Sequence, residues 1–286
     1  MANDTSGRKP LLGELLAEFA GTMILILFAV GVVAQVVAGG IGNHDSIAWA
    51  WGLGVVLGIY TANRATGAHL NPAVTLALAV FKGFPWRKVL PYSLAQTVGA
   101  FVAALIVRWN YTEVIFKFDP GHTIKSQGIF STLPGNGSTD FGVHTGGALR
   151  DQIIGTAILV FLVFAVTDAR NSAPIGNIAP IVVGLVVVAI GMAWGTDAGY
   201  AINPARDFGP RLAEYITGYG GAFKDQFGSV YFWVPIVGPL IGAVIGGAGY
   251  KYLIENFLPS DVEPVRMPDI PSSPASLVED STPTTR

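Results

Sequence analysis

Six long stretches of the sequence contain no Asp, Glu, Lys or Arg, and this pattern restricts the fold more than any other feature of the chain. A helix needs about 20 apolar residues to cross the roughly 30 Å hydrocarbon core of a bilayer, and neutral flanking residues can lengthen the shorter stretches. Hydrophobic residues make up 51% of the chain and charged residues only 13%. We therefore predict six membrane-spanning helices, in the stretches Phe19–His44, Ile47–Asn63, Val89–Val107, Gln152–Thr167, Asn171–Thr196 and Gln226–Tyr250.

The two halves of the chain resemble each other. Glu18, at the start of the first span, corresponds to Gln152 in the fourth span, 134 residues later. Asn71-Pro72-Ala73 reappears as Asn203-Pro204-Ala205, 132 residues later. Because each half has three spans, an odd number, the second copy must cross the membrane in the opposite sense. The sequence predicts an all-α membrane protein built from an inverted three-span repeat.

The first Asn-Pro-Ala motif is followed by Leu76 to Phe81, an apolar helical run too short to span a membrane, and the second is followed by Arg206-Asp207. Pro is favoured at the first position of a helix, where its missing N–H is not needed. We therefore predict two re-entrant half-helices that begin inside the membrane. Irregular backbone at that depth is tolerated only where protein buries it or where it lines a water-filled cavity. The loops before the motifs should line a pore with the carbonyls of Gly67, Ala68, His69, Leu70, Gly199, Tyr200, Ala201 and Ile202.

The chemistry of this pore centre favours neutral solutes. The side-chain amides of Asn71 and Asn203 can donate hydrogen bonds to a passing molecule. Two helix N-termini that meet at the midplane place partial positive charge there, which opposes cations and protons. A single Asn-Pro could simply cap a helix, but two copies at matching places in a repeat favour the pore.

Composition also sets the expected domain boundaries. The two ends of the chain are polar, and the C-terminal one is rich in Pro, Ser and Thr, so neither can bury enough apolar surface to fold alone. A segment with Pro134-Gly135-Asn136-Gly137 separates the repeats. We expect disordered termini at residues 1–10 and 259–286 and a channel domain at 11–258, with repeat one at 11–108, a connecting loop at 109–147 and repeat two at 148–258.

The basic residues near the spans predict the orientation of the chain. Arg8 and Lys9 precede the first span, and Lys82, Arg87 and Lys88 lie in the short link before the third. Lys and Arg accumulate on the cytoplasmic side of membrane proteins. Both termini should therefore be cytoplasmic, and the lack of a targeting signal favours the plasma (inner) membrane.

The sequence argues against several functional classes. It has no cysteine, which excludes disulfides, thiol-ligated metals and cysteine nucleophiles. The net charge is −2 and the basic residues are scattered, so we expect no nucleic-acid partner. His44, His122 and His144 lie in predicted loops without the spacing of metal ligands. We expect no metal, no cofactor and no enzymatic activity, and we assign these three histidines no role.

The paired Asn-Pro-Ala loops in an inverted repeat resemble those of the aquaporin family, over about Leu11 to Leu258. Within that family the second loop is similar to that of glycerol facilitators, which have Asp after the loop arginine and a basic residue four positions further on. Pro with an aliphatic residue in the last span also fits that subgroup. The resemblance implies a passive channel for glycerol, small polyols and water that excludes ions and protons; the subgroup markers are Asp207, Arg211, Pro235 and Ile236.

The resemblance places the narrowest part of the pore at Trp51, Gly191, Tyr200 and Arg206. Water-selective members usually have His at the position of Gly191, so we expect the glycine to widen the constriction. Trp51 and Tyr200 would hold the CH groups of a polyol, while Arg206 donates to its hydroxyls. Glycerol facilitators often have Phe at the position of Tyr200, and the extra hydroxyl adds polarity.

An acid inside a membrane span is a functional hypothesis by default, and Glu18 is the clearest case here. The resemblance implies that Glu18 and Gln152 brace the two re-entrant loops by hydrogen bonds and that Glu18 carries no protons. It also implies a homotetramer in the lipid bilayer, in which each subunit holds its own pore.

Other functions remain open at this point. A water-selective pore is the main alternative, with urea, ammonia or metalloid hydroxides as additional solutes of a channel. An ion-coupled secondary transporter also uses inverted repeats and broken helices. A membrane enzyme would need a nucleophile, an acid–base pair or a metal cluster, and a junction protein would show self-association without solute flux.

Overall fold

The computed structural model of the chain describes residues 11–260. The expected disorder of residues 1–10 and of residues 261–286 lies outside the described residues. Within the described part the chain is helical, apart from short loops and one isolated antiparallel bridge between Lys224 and Val230.

Repeat one contains three long helices and one short helix between the second and the third. The second helix begins with a capping box, in which the Asn43 side chain accepts from the backbone of Ser46 and Ser46 accepts from the backbone of Asn43. Gly67, in the left-handed conformation with φ 83°, ends this helix. The four helices are α1 (Leu11–Val37), α2 (His44–Thr66), α3 (Pro72–Phe81) and α4 (Trp86–Asn110).

The segment between the repeats contains no span, but it is more ordered than the loop that we expected. It forms two short helices, α5 (Thr112–Phe118) and α6 (Ile124–Gln127), and a single 3₁₀ turn at Pro134–Gly137. Residues 129–135 are buried. They lie inward because their backbone groups bind buried polar side chains of the second re-entrant helix.

Repeat two has the same order of elements. Its second helix starts later than the charge-free stretch suggested, because residues 171–178 form a loop before Pro180 enters the first turn of the helix. The helices are α7 (Thr145–Thr167), α8 (Ala179–Ala198), α9 (Pro204–Ile216) and α10 (Val234–Leu253), followed by a 3₁₀ turn at Glu255–Phe257.

Five helices, α1, α4, α7, α8 and α10, are long and apolar enough to cross a membrane by length and composition. The remaining predicted span, α2, has 23 residues, which is sufficient length. It is less apolar because it contains Trp, Tyr, Asn and Arg residues as well as several glycines. Trp51 and Gly52 of this helix face the interior of the bundle.

The helices pack in the same way in the two repeats. In repeat one α1 lies against α2 and α4, and in repeat two α7 lies against α8 and α10. The short helices cross over, since α3 packs against α10 and α9 packs against α4. The two repeats also meet where Gly52 of α2 faces Gly184 of α8, because a Cβ on either glycine would lie within 2.7 Å of the other's carbonyl oxygen. Small residues at such crossings allow helix backbones to approach closely.

Candidate functional site

The two short helices begin beside each other in the middle of the bundle. Asn71 caps α3, where its Oδ1 accepts from Ala73 N at 2.8 Å, and Pro72 takes the first helical position. Asn203 caps α9 in the same way, with Ala205 N at 3.0 Å from its Oδ1. The Asn-Pro-Ala motifs therefore build two facing helix N-termini.

The two asparagines also connect the loops to each other. Asn71 Nδ2 donates to the carbonyl of Ile202 at 2.8 Å, and Asn203 Nδ2 donates to the carbonyl of Leu70 at 2.9 Å. An amide group carries two N–H donors, so each asparagine keeps a second one for a solute. Two of the eight predicted pore-lining carbonyls, those of Leu70 and Ile202, thus have a partner within the protein.

The backbone of both loops adopts unusual conformations. Positive φ angles occur at Ala68 (53°) and Leu70 (52°) in the first loop and at Tyr200 (35°) and Ile202 (45°) in the second. Such angles cost roughly 1 to 3 kcal/mol each for residues other than glycine and persist only where surrounding contacts hold them.

Glu18 supplies the contacts that hold the first loop. Its carboxylate is fully buried and accepts from His69 N at 3.0 Å and from Leu70 N at 2.8 Å. The hydroxyl of Thr66 and the side-chain amide of Gln96 donate to the same carboxylate, at 2.5 and 2.8 Å. Two backbone N–H groups of the strained loop are therefore fixed by one carboxylate of α1.

Gln152 has the equivalent position in repeat two and contacts the second loop. Its Nε2 donates to Ala198 O at 3.0 Å, and its Oε1 accepts from Ile202 N at 2.9 Å. The side chain is fully buried. An amide suits this place because the loop presents one acceptor and one donor.

Two cavities lie along the bundle and meet at a single constriction. The inner cavity has a volume of about 170 Å³ and is lined by Asn71 and Asn203 as well as by side chains near the ends of α2 and α7. The outer cavity has a volume of about 220 Å³ and is lined largely by α6, the segment after it and the end of α8. The residues shared by both linings are Trp51, Tyr200 and Arg206.

The constriction combines an aromatic wall with a cation. Arg206 is buried, and its guanidinium carbon lies 4.1 Å from the centre of the Trp51 ring. Arg206 NH1 donates to the carbonyl of Phe130 at 3.0 Å, which fixes the direction of the guanidinium. The ring of Tyr200 stands edge-on to Trp51, with a distance of 6.3 Å between the ring centres. The guanidinium therefore stacks on the indole ring, so that a cation and two aromatic rings lie side by side at this point.

The Tyr200 ring lies directly beside Gly191 at this constriction. A Cβ built on Gly191 would lie 2.8 Å from Cζ and 2.9 Å from Oη of Tyr200. The phenol ring fills the volume that a side chain at position 191 would need. The glycine therefore changes which surface lines the constriction, because it admits an aromatic ring there.

The subgroup markers Asp207 and Arg211 are fully buried on α9 behind the constriction. Arg211 Nε donates to Asp207 Oδ1 at 2.8 Å, and the other Asp207 oxygen accepts from Thr132 N at 2.7 Å. Arg211 also donates to the carbonyls of Thr132 and Ala222, at 2.7 and 2.6 Å. This ion pair anchors the segment that presents the Phe130 carbonyl to Arg206.

The other two markers, Pro235 and Ile236, lie in the first turn of α10. They are not among the residues that line the two cavities. Pro is suited to the first turn of a helix, and Pro235 is buried there.

Sequence reasoning missed three contributors to the constriction. Phe130 and Thr132 act mainly through their backbones, which leave no mark in the residue types. His44, to which we assigned no role, is the first residue of α2 and lies 2.8 Å from the carbonyl of Gly191 through its Nε2. The distance of 147 residues between His44 and Gly191 gives no local pattern to find.

A cluster of charges lies at the other end of the bundle, beyond the last turn of α7. Arg170 donates to both oxygens of Asp168, and its hydrogen bonds lower the pKa of that carboxyl to about 2, against the opposing effect of burial. Glu255, after α10, pairs with Arg170 and with Lys82, each at 2.9 Å. These contacts tie the ends of α3, α7 and α10 together. Among residues 11–260, no group of three or more His, Asp or Glu could hold a metal ion.

A model of the family described as "Major intrinsic protein" matches residues 6–250 of this sequence. The chain belongs to the major intrinsic protein family. Aquaglyceroporin-9 of Botryotinia fuckeliana is 43% identical over 264 residues, which are 89% of this chain and 56% of that protein's length. The glycerol uptake facilitator protein of Escherichia coli (strain K12) is 42% identical over 257 residues, which are 88% of this chain and 92% of that relative.

A solved structure of the same family has a similar fold. The aquaglyceroporin from Plasmodium falciparum superimposes with a TM-score of 0.77 and 31% sequence identity, and the match covers 86% of this chain and 97% of that one. The predicted aquaporin-like fold, with its two re-entrant half-helices, is thereby confirmed. The protein is an integral membrane protein of a channel family, and none of these relatives is named as an enzyme.

Proposed function

We propose that this protein is a passive channel for glycerol and other small neutral polyols, that it also conducts water, and that it excludes ions and protons. The observation that carries the proposal is that Trp51, Tyr200 and Arg206 line both the inner and the outer cavity. Every solute that moves between the cavities has to pass these three side chains.

A polyol matches the surfaces at this point. Its CH groups can lie against the rings of Trp51 and Tyr200, while its hydroxyls accept from the guanidinium of Arg206. Deeper in the pore, the second N–H of Asn71 and of Asn203 can donate to the next hydroxyl. Solutes would pass in single file, without a cofactor.

The same groups oppose charged solutes. Arg206 is a buried cation at the constriction, and the N-termini of α3 and α9 place partial positive charge at the centre. Cations and protons therefore meet a positive potential along the path. Anions would lose most of their hydration between the aromatic rings, which is costly without a full set of partners.

The names of the relatives support glycerol as the solute. Two of them are named for glycerol uptake or as an aquaglyceroporin, and the similar solved structure is that of an aquaglyceroporin. The buried Asp207–Arg211 pair fits the same subgroup. A water-selective pore remains the alternative, since the Tyr200 ring narrows the space beside Gly191.

An ion-coupled transporter has less support. Among the described residues, no Asp or Glu lines either cavity, so no acid is placed to bind a coupling ion there. Glu18 accepts four hydrogen bonds inside the protein and has no free path to solvent.

Flux experiments separate the channel from the transporter. Proteoliposomes should take up glycerol at rates that rise linearly with concentration and do not respond to a sodium or proton gradient. Saturation together with acceleration by an ion gradient would favour the transporter instead.

The remaining features of the proposal concern the assembly. We expect a homotetramer with one pore in each subunit, in the plasma (inner) membrane, with both termini cytoplasmic. The channel domain would extend from residue 11 to 258, and the charge cluster around Arg170 would then lie at the cytoplasmic mouth. Cross-linking and protease protection of the termini test these points.

A further inference from the structure

His44 stands at the rim of the outer cavity and contacts α8 next to the constriction. It is the first residue of α2, directly after the capping residue Asn43, and it lines the outer cavity together with Tyr200 and Arg206. Its Nε2 lies 2.8 Å from the carbonyl oxygen of Gly191. Because a carbonyl oxygen only accepts, Nε2 must carry the proton and donate it.

The contact falls where α8 leaves regular helical geometry. Trp194, three residues after Gly191, has φ −126° and ψ 16° inside the helix. Helices kink where a side chain inserts into their ladder of hydrogen bonds. The imidazole of His44 lies beside this kink and supplies a donor to a carbonyl of the turn before it.

Glycine at position 195 makes room for this imidazole. A Cβ on Gly195 would lie 2.5 Å from Cε1 and 2.7 Å from Nε2 of His44. The carbonyl of Gly195 in turn accepts from Asn136 Nδ2 at 3.0 Å. Two side chains from distant segments therefore hold two carbonyls at the outer end of α8.

His44 also contacts the aromatic wall of the constriction. Its ring stands edge-on to Tyr200, with 6.4 Å between the ring centres, and Tyr200 occupies the space beside Gly191. The backbone of Gly191 and the ring of Tyr200 thus share one partner. We propose that His44 is a positioning residue for the constriction, which holds Gly191 through its carbonyl and thereby keeps the Tyr200 ring in place.

This inference rests on the proposed function, because its effect appears in the choice between glycerol and water. Glycerol needs aromatic and polar contacts at the same time, whereas water needs only hydrogen bonds. A displaced Tyr200 ring should therefore slow glycerol more than water. Loss of one neutral hydrogen bond changes an equilibrium constant roughly two- to tenfold. We expect the glycerol-to-water permeability ratio to fall by about the same factor.

Three substitutions separate the donor of His44 from its ring. His44→Gln keeps an N–H donor at a similar reach without the ring, His44→Phe keeps a ring without the donor, and His44→Ala keeps neither. Asp45→Asn changes an exposed residue in the same helical turn and serves as the matched control. Each full-length variant is reconstituted in proteoliposomes, and glycerol and water permeabilities are measured on the same vesicles.

The proposal predicts a lowered ratio for His44→Ala and His44→Phe and a ratio near that of the wild type for His44→Gln and Asp45→Asn. Amide hydrogen exchange of residues 191–199 should rise in the same two variants alone. A wild-type ratio in His44→Ala or His44→Phe, or a lowered ratio in His44→Gln or Asp45→Asn, would overturn it. If the wild-type protein passes no glycerol, the proposed function fails, and the exchange pattern alone decides the role of His44.

Discussion

Glu18 and Gln152 have equivalent positions in the two repeats, but Glu18 only accepts hydrogen bonds whereas Gln152 both donates and accepts. Glu18 accepts four hydrogen bonds and donates none, whereas Gln152 donates to Ala198 O and accepts from Ile202 N. The repeats are therefore similar in backbone and different in the chemistry that holds each loop. A carboxylate suits the first loop and an amide suits the second.

Substitution of Glu18 by Gln should destabilise the protein strongly. Each oxygen of the Glu18 carboxylate accepts from two donors. In Gln one of these oxygens is replaced by NH₂, which cannot accept, so two buried donors lose their acceptor at a cost of about 1 to 3 kcal/mol each. We expect the free energy of unfolding to fall by about 2 to 6 kcal/mol and glycerol flux to fall with it. Thermal unfolding in detergent measures the first effect, and Glu113→Gln, at an exposed acid, is the control. Equal stability of the two variants would contradict the bracing role.

A methyl group at position 191 should displace the Tyr200 ring. Its carbon would lie 2.8 Å from Tyr200 Cζ, and overpacking of this kind costs about 1 to 3 kcal/mol. We expect Gly191→Ala to lower glycerol permeability roughly fivefold or more and water permeability less. Gly31→Ala is the matched control, because a Cβ there meets nothing within 4 Å. If Gly191→Ala lowers glycerol permeability as much in a Tyr200→Ala background, the ring is not the cause.

The Asp207–Arg211 pair should matter more for stability than a surface ion pair. Both side chains are fully buried, and Arg211 also satisfies two backbone carbonyls. Removal of one partner from a buried pair costs about 3 to 5 kcal/mol, because the other charge remains buried. Arg211→Met should lower the unfolding temperature well below that of Arg150→Met, which alters an exposed arginine. Similar unfolding temperatures would show that the pair does not anchor the segment at Phe130.

Acid should weaken the charge cluster at the ends of α7 and α10. Arg170 lowers the pKa of Asp168 to about 2, below the value of about 3.9 for an unfolded chain. A lowered pKa means that the stabilisation is complete above about pH 4 and is lost as the pH falls towards 2. The two pKa values differ by about two, which corresponds to about 3 kcal/mol. Unfolding temperatures measured from pH 5 to pH 2 should fall more steeply for the wild type than for Asp168→Asn, and parallel curves would refute the assignment.

Much of the fold could be predicted from sequence because it depends on composition and on local geometry. The stretches without charged residues indicated the membrane spans. Asn71-Pro72 and Asn203-Pro204 indicated the starts of the half-helices, because Asn is favoured as the capping residue of a helix and Pro at its first position. The constriction residues followed only from resemblance, since nothing local connects Trp51 to Arg206.

The parts that could not be predicted depend on backbone contacts and on side-chain direction. The carbonyl of Phe130 binds Arg206, but any residue has a carbonyl, so its type carries no signal. The position of the Tyr200 ring beside Gly191 depends on the positive φ of Tyr200, 35°, and on its side-chain torsions. The contact of His44 with Gly191 requires the three-dimensional arrangement of α2 and α8.

Glycerol permeability of the purified protein tests the central claim most directly. Stopped-flow light scattering compares proteoliposomes with empty vesicles, under a glycerol gradient and under an impermeant osmolyte, with no ion gradient present. We predict glycerol flux far above that of empty vesicles and faster water flux as well. Fast water flux with glycerol at the level of empty vesicles would contradict the account, because the surfaces of Trp51, Tyr200 and Arg206 would then not select a polyol.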